Sequence, residues 1–157
     1  GSSGTLGKSL YSYLKTKFKI SHNGLFKRKY DLKKKNQIEK LLKNSYPKIV
    51  INCCGVTNID FCEKNKRKSS LTNVKIVKNI LDFQKKFKFH FIQISTDHLY
   101  DPKIRRVSNE IDKIKINNEY SRQKRMAEKI CLKYRSLIFR TNFFGKNGKK
   151  TIDNWIY

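Results

Sequence analysis

The strongest constraint in this chain is residues 48–54, KIVINCC, a run with no polar alternation through its middle. A half-exposed strand alternates apolar and polar residues, so an unbroken run bounded by a turn residue (Pro47) reads as a strand covered on both faces. Residues 87–95, FKFHFIQIS, form a second buried strand. Between them, residues 71–83 carry apolar side chains at 74, 76, 77, 80, 81 and 83, the spacing of a helix with a broad buried face. The alternation extends in both directions. Helices are expected over 8–15, 37–42 and 119–134, and strands over 18–21 and 136–140. Asn23-Gly24 closes the first of these strands as a turn, and an amphipathic segment begins at Thr151. Strands and helices in alternation predict an α/β fold, a doubly wound parallel sheet with helices on both faces. Such sheets bind ligands beyond the carboxyl ends of their strands. The loops leaving each strand are therefore where function is to be sought.

A chain of 157 residues has room for one domain with a real core. Its 37 Lys and Arg against 12 Asp and Glu give a formal charge of +25, which would attract any polyanion. The basic residues run from end to end rather than forming one stripe, and no RNP motif, zinc finger or helix-turn-helix accompanies them. The charge is read as compositional bias, not as the mark of a nucleic-acid partner. No apolar run is long enough to cross a membrane and no signal peptide is visible. The four cysteines show no CxxC pairing, which predicts reduced thiols, a cytoplasmic setting and no metal site.

The chain opens Gly1-Ser2-Ser3-Gly4-Thr5-Leu6-Gly7 and runs directly into a helix. A dinucleotide site needs such a turn: one glycine for the tight bend, one for close approach of the pyrophosphate, one for close packing of the helix. The helix N-terminus then presents free N–H groups and a positive dipole end to the phosphates. Gly-Ser-Ser-Gly is also a familiar engineered linker, but Gly7 and the apolar helix behind it favour the functional reading.

After the second buried strand comes Ser95-Thr96-Asp97-His98-Leu99-Tyr100-Asp101, and later Tyr120-Ser121-Arg122-Gln123-Lys124 on an expected helix. A Tyr and a Lys four positions apart share a helix face. The ammonium can then lower the phenol from about 10 towards a working pH, as a general acid requires. A Thr hydroxyl at a strand end can bond the carbonyl oxygen that the Tyr protonates. Tyr11/Lys15, Tyr13/Lys17 and Tyr30/Lys34 have the same spacing. Position singles out Tyr120/Lys124, which comes after the Thr and opens a helix.

Five segments, in order, resemble the extended short-chain dehydrogenases/reductases of the dTDP-4-dehydrorhamnose reductase type: GSSGTLG, Asp31-Leu32, INCCGVTNIDFCE (51–63), ISTDHLYD (94–101) with YSRQK (120–124), and FRTNFFGKNGKK (139–150). The resemblance implies a Rossmann-type domain over residues 1–157 that reduces a 4-keto nucleotide-deoxysugar with NADPH or NADH, in dTDP-rhamnose and surface polysaccharide biosynthesis. By the same resemblance, Gly1, Gly4, Thr5 and Leu6 hold the pyrophosphate, and Asp31 and Leu32 meet the adenine side. Cys54, Gly55 and Val56 run under the dinucleotide. Tyr120 is the proton donor, Lys124 its partner and ribose ligand, and Thr96 completes the catalytic set. Asp97 and Phe143 face the substrate, and Asn73 braces the cofactor side from its helix.

The departures from the family pattern are specific. Family members are nearly twice as long, so the first strand and the C-terminal nucleotide-sugar lobe are expected to be missing here, and the fragment alone to be inactive. Cys53-Cys54 stands where small residues are usual, and the loop 102–118 lacks the family's glycines. Asp31 could equally cap the helix after it. Thr57, Asp60 and Glu63 could cap and open a short helix. Lys27, Arg28 and Lys29 could receive a 2′-phosphate, which tilts the cofactor to NADPH. An epimerase or dehydratase on a related sugar nucleotide, a non-catalytic NADP-binding regulatory subunit and a homodimer are left open.

Overall fold

The computed structural model describes residues 1–20, 30–101, 103 and 108–142. Phe143, the 21–29 segment with Lys27–Lys29, and the 151–157 segment lie outside the described residues. Helix α1 spans Thr5–Leu14 and α2 spans Lys35–Ser45. Strand β1 (Ile49–Asn52) comes next, then α3 (Ile59–Lys64) and α4 (Lys66–Ser70). A π-turn over Leu71–Lys75 leads from α4 into α5 (Ile76–Leu81), and a short α6 (Gln84–Phe87) precedes β2 (His90–Thr96). A 3₁₀ turn at Asp97–Leu99, helix α7 (Glu119–Cys131) and β3 (Ser136–Thr141) complete the order.

The three strands are parallel and adjacent in the order β1-β2-β3, with Ile51 beside Ile92, Ser95 beside Arg140 and Thr96 beside Thr141. Side chains alternate between the two faces of a strand. Val50, Phe91 and Ile138 therefore share one face, where they meet Ile38 and Leu42 of α2, Ile76, Val77, Ile80 and Leu81 of α5, and Ala127 and Cys131 of α7. Burying a side chain the size of Phe91 or Leu81 contributes about 1.5–3 kcal/mol, and this cluster is the core. α1 lies on the opposite side. A cavity of about 1050 Å³ runs past β1, lined by Leu10 and Leu14 of α1, Ile38 and Leu42 of α2, and Ile49 and Ile51.

The α/β parallel sheet with helices on both faces is as expected, with two differences in detail. The sequence reads β1 as covered on both sides, but Ile49 is 56% and Ile51 37% exposed, because β1 is the outer strand of the three and faces α1 only across the cavity. An apolar run reveals that a strand is a candidate for burial; it does not say which neighbour covers it. The expected strand at 18–21 is not a strand at residues 18–20, where the short run has no ladder partner among the described residues.

Candidate active site

Past the carboxyl end of β1, the glycine turn rests on the Cys53-Cys54 backbone. Gly4 N–H donates to the Gly1 carbonyl at 3.0 Å, and α1 begins at Thr5 with Gly4 as its cap. Gly4 has no side chain with which to cap this helix, and its first turn is the kind of place where an anion can be received. A Cβ on Gly1 would lie 2.1 Å from the Cys53 carbonyl carbon, and one on Gly7 would lie 2.2 Å from the Gly1 oxygen. No side chain can be accommodated at either position without moving backbone. Gly4 is less demanding, its Cβ meeting Gly1 at 3.4 Å. A linker would not require this fit.

The segment after β1 is pinned from the π-turn. Buried Asn73 accepts from Val56 N–H at 2.8 Å and donates to the Val56 carbonyl at 3.0 Å, closing the path that Cys54, Gly55 and Val56 take. The same amide donates to Gln123 Oε1 at 2.9 Å. Gln123, fully buried on α7, donates in turn to Ser69 Oγ at 2.9 Å and Glu119 Oε1 at 2.8 Å. Asn58 caps α3 by accepting from Phe61 N–H at 2.7 Å, while Asp60 sits in the first turn, so the cap falls on Asn58 rather than Thr57. Glu63 instead accepts from Glu119 N–H at 2.5 Å, anchoring the start of α7.

Strand β2 ends at Thr96, and α7 begins under Asn118, whose side chain caps it by accepting from Ser121 N–H at 2.8 Å. Ser121 Oγ donates to the His98 carbonyl at 3.0 Å, which fixes the helix against the strand end. Tyr120 is thereby brought beside Thr96, whose side chain acts on its phenol, and its ring meets His98 edge-on at 6.1 Å. Thr96 Oγ1 also accepts from His98 N–H at 3.2 Å and points to Asp97 Oδ1 at 3.5 Å. Lys124, 6% exposed, donates to the Ile94 carbonyl at 2.5 Å.

The electrostatics depart from the sequence reading. Burial pushes the Tyr120 phenol above its ordinary value; the Thr96 side chain opposes this, and Asp97 and Cys62 add to it. Lys124 is not among the groups that set it. The expected lowering by the ammonium is therefore not observed, because the ammonium is turned to a main-chain carbonyl. Burial brings Lys124 itself down to about 8, with the Glu128 charge resisting.

Asp31 is exposed and closes a turn before α2, accepting from Lys33 N–H at 3.0 Å; the α2 cap position is Lys34, so Asp31 does not cap the helix itself. Leu32 packs against the core. Two groups escape the sequence reading. Glu128 is fully buried and accepts from Ser95 Oγ at 2.6 Å, from Arg140 Nε and Nη2 at 2.9 Å each, and from Arg125 Nη1 at 2.9 Å. Gln123 is the other. Only their positions on the Tyr120/Lys124 helix could have marked them.

The glycine turn, the first turn of α1 and the Thr96, Tyr120 and Lys124 side chains are the groups that could hold a dinucleotide. Among the described residues, no group of three or more His, Cys, Asp and Glu could hold a metal ion, and no helix is long and apolar enough to cross a membrane.

Residues 1–155 match the family model of the RmlD substrate binding domain. Among solved structures, a dTDP-4-dehydrorhamnose reductase from Clostridium acetobutylicum is 24% identical with a TM-score of 0.86, over 99% of this chain and 56% of that one. The dTDP-4-dehydrorhamnose reductase of Bacillus anthracis, solved in complex with NADP, is 22% identical with a TM-score of 0.86 over the same 99% and 56%. A UDP-glucose 4-epimerase from Brucella ovis, in complex with NAD, is 17% identical with a TM-score of 0.79, over 89% and 49%. At these identities the likeness is one of fold. The chain spans little more than half the length of the reductases it matches. No curated protein matches it.

Proposed function

Because the chain belongs to the family of the RmlD substrate binding domain, we propose that it is the cofactor-binding part of a reductase that carries hydride to the 4-keto carbon of a nucleotide-linked deoxysugar, of the dTDP-4-dehydrorhamnose kind. The observation that carries the reading is that Thr96 at the end of β2 and Tyr120 at the start of α7 come together, with Lys124 one helical turn on, at the carboxyl ends of a parallel sheet. Gly1, Gly4, Thr5 and Leu6 take the pyrophosphate, and Cys54, Gly55 and Val56 form the floor beneath the dinucleotide. Asp31 and Leu32 are assigned to the adenine side. When bound, the nicotinamide supplies the hydride. NADPH is the preferred donor, supported by the NADP complex of the Bacillus anthracis protein and by the basic Lys27–Lys29 run.

Each residue then has one task. Tyr120, pushed up by burial, is protonated at neutral pH and gives its proton to the carbonyl oxygen as the carbon accepts hydride. Thr96 donates to the same oxygen and fixes its direction. Lys124 offers positive charge to the phenolate left behind and bonds the ribose. Asp97 and Phe143 border the sugar. The reaction takes a ketone and a hydride to an alcohol, with solvent returning the proton to Tyr120.

The test uses the protein that carries these residues, supplied with NADPH and a dTDP-4-keto-6-deoxysugar. Net consumption of NADPH is expected, and Tyr120→Phe should cut turnover by about 10²–10⁴-fold. Full turnover in that variant overturns the role. An epimerase or dehydratase of the same superfamily would use the cofactor without net consumption. A dehydratase needs a second acid beside the Thr-Asp pair, and this chain has His98 there.

A further inference from the structure

Glu128 has no part in the reaction just described, yet it is fully buried and its carboxylate has four donors on three elements. Arg125 belongs to its own helix. Ser95 lies on β2 immediately before Thr96, and Arg140 lies on β3 in register with Ser95. Arg140 also reaches outward, donating from Nη1 to the Tyr100 hydroxyl at 3.0 Å with its guanidinium 5.3 Å over that ring. One carboxylate therefore joins the end of the strand carrying Thr96, the neighbouring strand, and the helix carrying Tyr120 and Lys124. Its bonds to β2 and α7 lie one residue from Thr96 and one turn from Lys124. Burial alone would push the Glu128 carboxyl up, but the bonds from Arg140, Ser95 and Arg125 outweigh it and hold it below the usual carboxylate range.

Lys124 is flanked by few groups that could balance its charge. The Ile94 carbonyl meets it from β2, Cys53 from the segment after β1, and Glu128 and Cys131 from its own helix. Burial pushes Cys131 up to about 12 and raises Cys53, so both thiols are neutral at working pH. Glu128 is the one member of this group that is anionic at neutral pH.

We propose that Glu128 is a positioning residue of the site: it ties the strand end that carries Thr96 to the helix that carries Tyr120, and places an anion one helical turn from Lys124. The inference rests on the reductase reading for its kinetic consequence, but not for its geometry. The carboxylate is tied to Ser95, and through it to the Thr96 backbone. Releasing it removes one tie between strand end and helix and leaves those from Ser121 to the His98 carbonyl and from Lys124 to the Ile94 carbonyl. Arg140 and Arg125 would then be left without their buried anion, and Lys124 would lose its neighbour.

The experiment is a ¹³C NMR titration of the Tyr120 ring and the Lys124 side chain in the full chain, beside hydride-transfer kinetics. In Glu128→Gln the Lys124 midpoint should fall by about one unit, because an ammonium without its anion is less stable. The Tyr120 midpoint should rise, because the Thr96 side chain that restrains it shifts with the strand end. In Ser95→Ala, which removes one bond and leaves the Arg140 fork intact, the Tyr120 midpoint should rise and the Lys124 midpoint should hold. Turnover in Ser95→Ala should fall about 5–10-fold, with KM for the cofactor unchanged, as expected for lost alignment rather than lost binding. Unmoved midpoints in both variants would overturn the proposal. If Glu128→Gln does not fold, Ser95→Ala alone decides the tether, and an unmoved Tyr120 midpoint there overturns it. Should the parent transfer no hydride, the reductase reading fails while the titrations still decide the role of Glu128.

Discussion

Where Gly1 and Gly7 let backbone touch backbone at the opening turn, Gln123 and Glu128 bury polar groups on α7 that are satisfied by donors and acceptors of several elements. The first region is specified by missing side chains and tolerates nothing added. The second is specified by side chains that satisfy one another and tolerates nothing removed. A cofactor's phosphates need bare N–H groups and close approach, which only absent side chains provide. A proton donor needs a fixed direction, which a network provides.

The contrast is most exposed to disproof at Gly7. Gly7→Val would drive a branched side chain into the Gly1 carbonyl and Ser2, and should cost about 3 kcal/mol or more together with NADPH binding, read by thermal melting and by fluorescence titration. Unchanged cofactor affinity would show that the turn is not the phosphate cradle. Next is Asn73→Leu, which orphans the Val56 N–H and one acceptor of Gln123 and should cost about 2–3 kcal/mol in urea unfolding. A smaller loss would mean that the network gives way where it is supposed to hold.

Lys124 refines the contrast, because it is in the network at a cost. Its folded value of about 8 lies below its ordinary one, so the unfolded chain holds the proton more firmly. Stability should therefore rise with pH between about 8 and 10.5, and the penalty is fully present below that window. Lys124→Met should raise stability at pH 7 by about 1–2 kcal/mol while abolishing turnover, with the difference from the parent closing as pH rises through the window. A flat difference would place the ammonium in a better-solvated setting than its burial indicates. Least is expected at the surface: Glu39→Gln, which removes the exposed pair with Lys86, should leave the melting temperature unchanged.

How far the sequence is legible obeys the same division. Residues 87–95 and 119–134 are readable because period and length agree for β2 and α7, which lie at the centre of the structure. The glycine turn and the Thr-Tyr-Lys set are readable because their chemistry needs particular residues at particular ends of elements. The cover over β1 is not, since Ile49 and Ile51 look the same in sequence whether or not a neighbour lies over them. Nor are Gln123 and Glu128: in a chain this rich in lysine, an acid or amide on a helix looks solvated until the fold turns it inward. Tyr120's raised phenol escapes the sequence for a related reason, since spacing shows that a lysine can reach a tyrosine but not which oxygen it prefers.

The π-turn at Leu71–Lys75 marks where this helix can change its length. An α-helix advances about 100° per residue, and a π-turn fits one additional residue into a single revolution, so the faces before and after it stay aligned. Before it, the helix is set by Ser69, which faces Gln123; after it, by Ile76, Val77, Ile80 and Leu81, which face the sheet. Removing a single residue from this stretch would return the backbone to plain α-helix with both faces kept, so a change of one residue is absorbed here where elsewhere in the helix it would turn a face by about 100°.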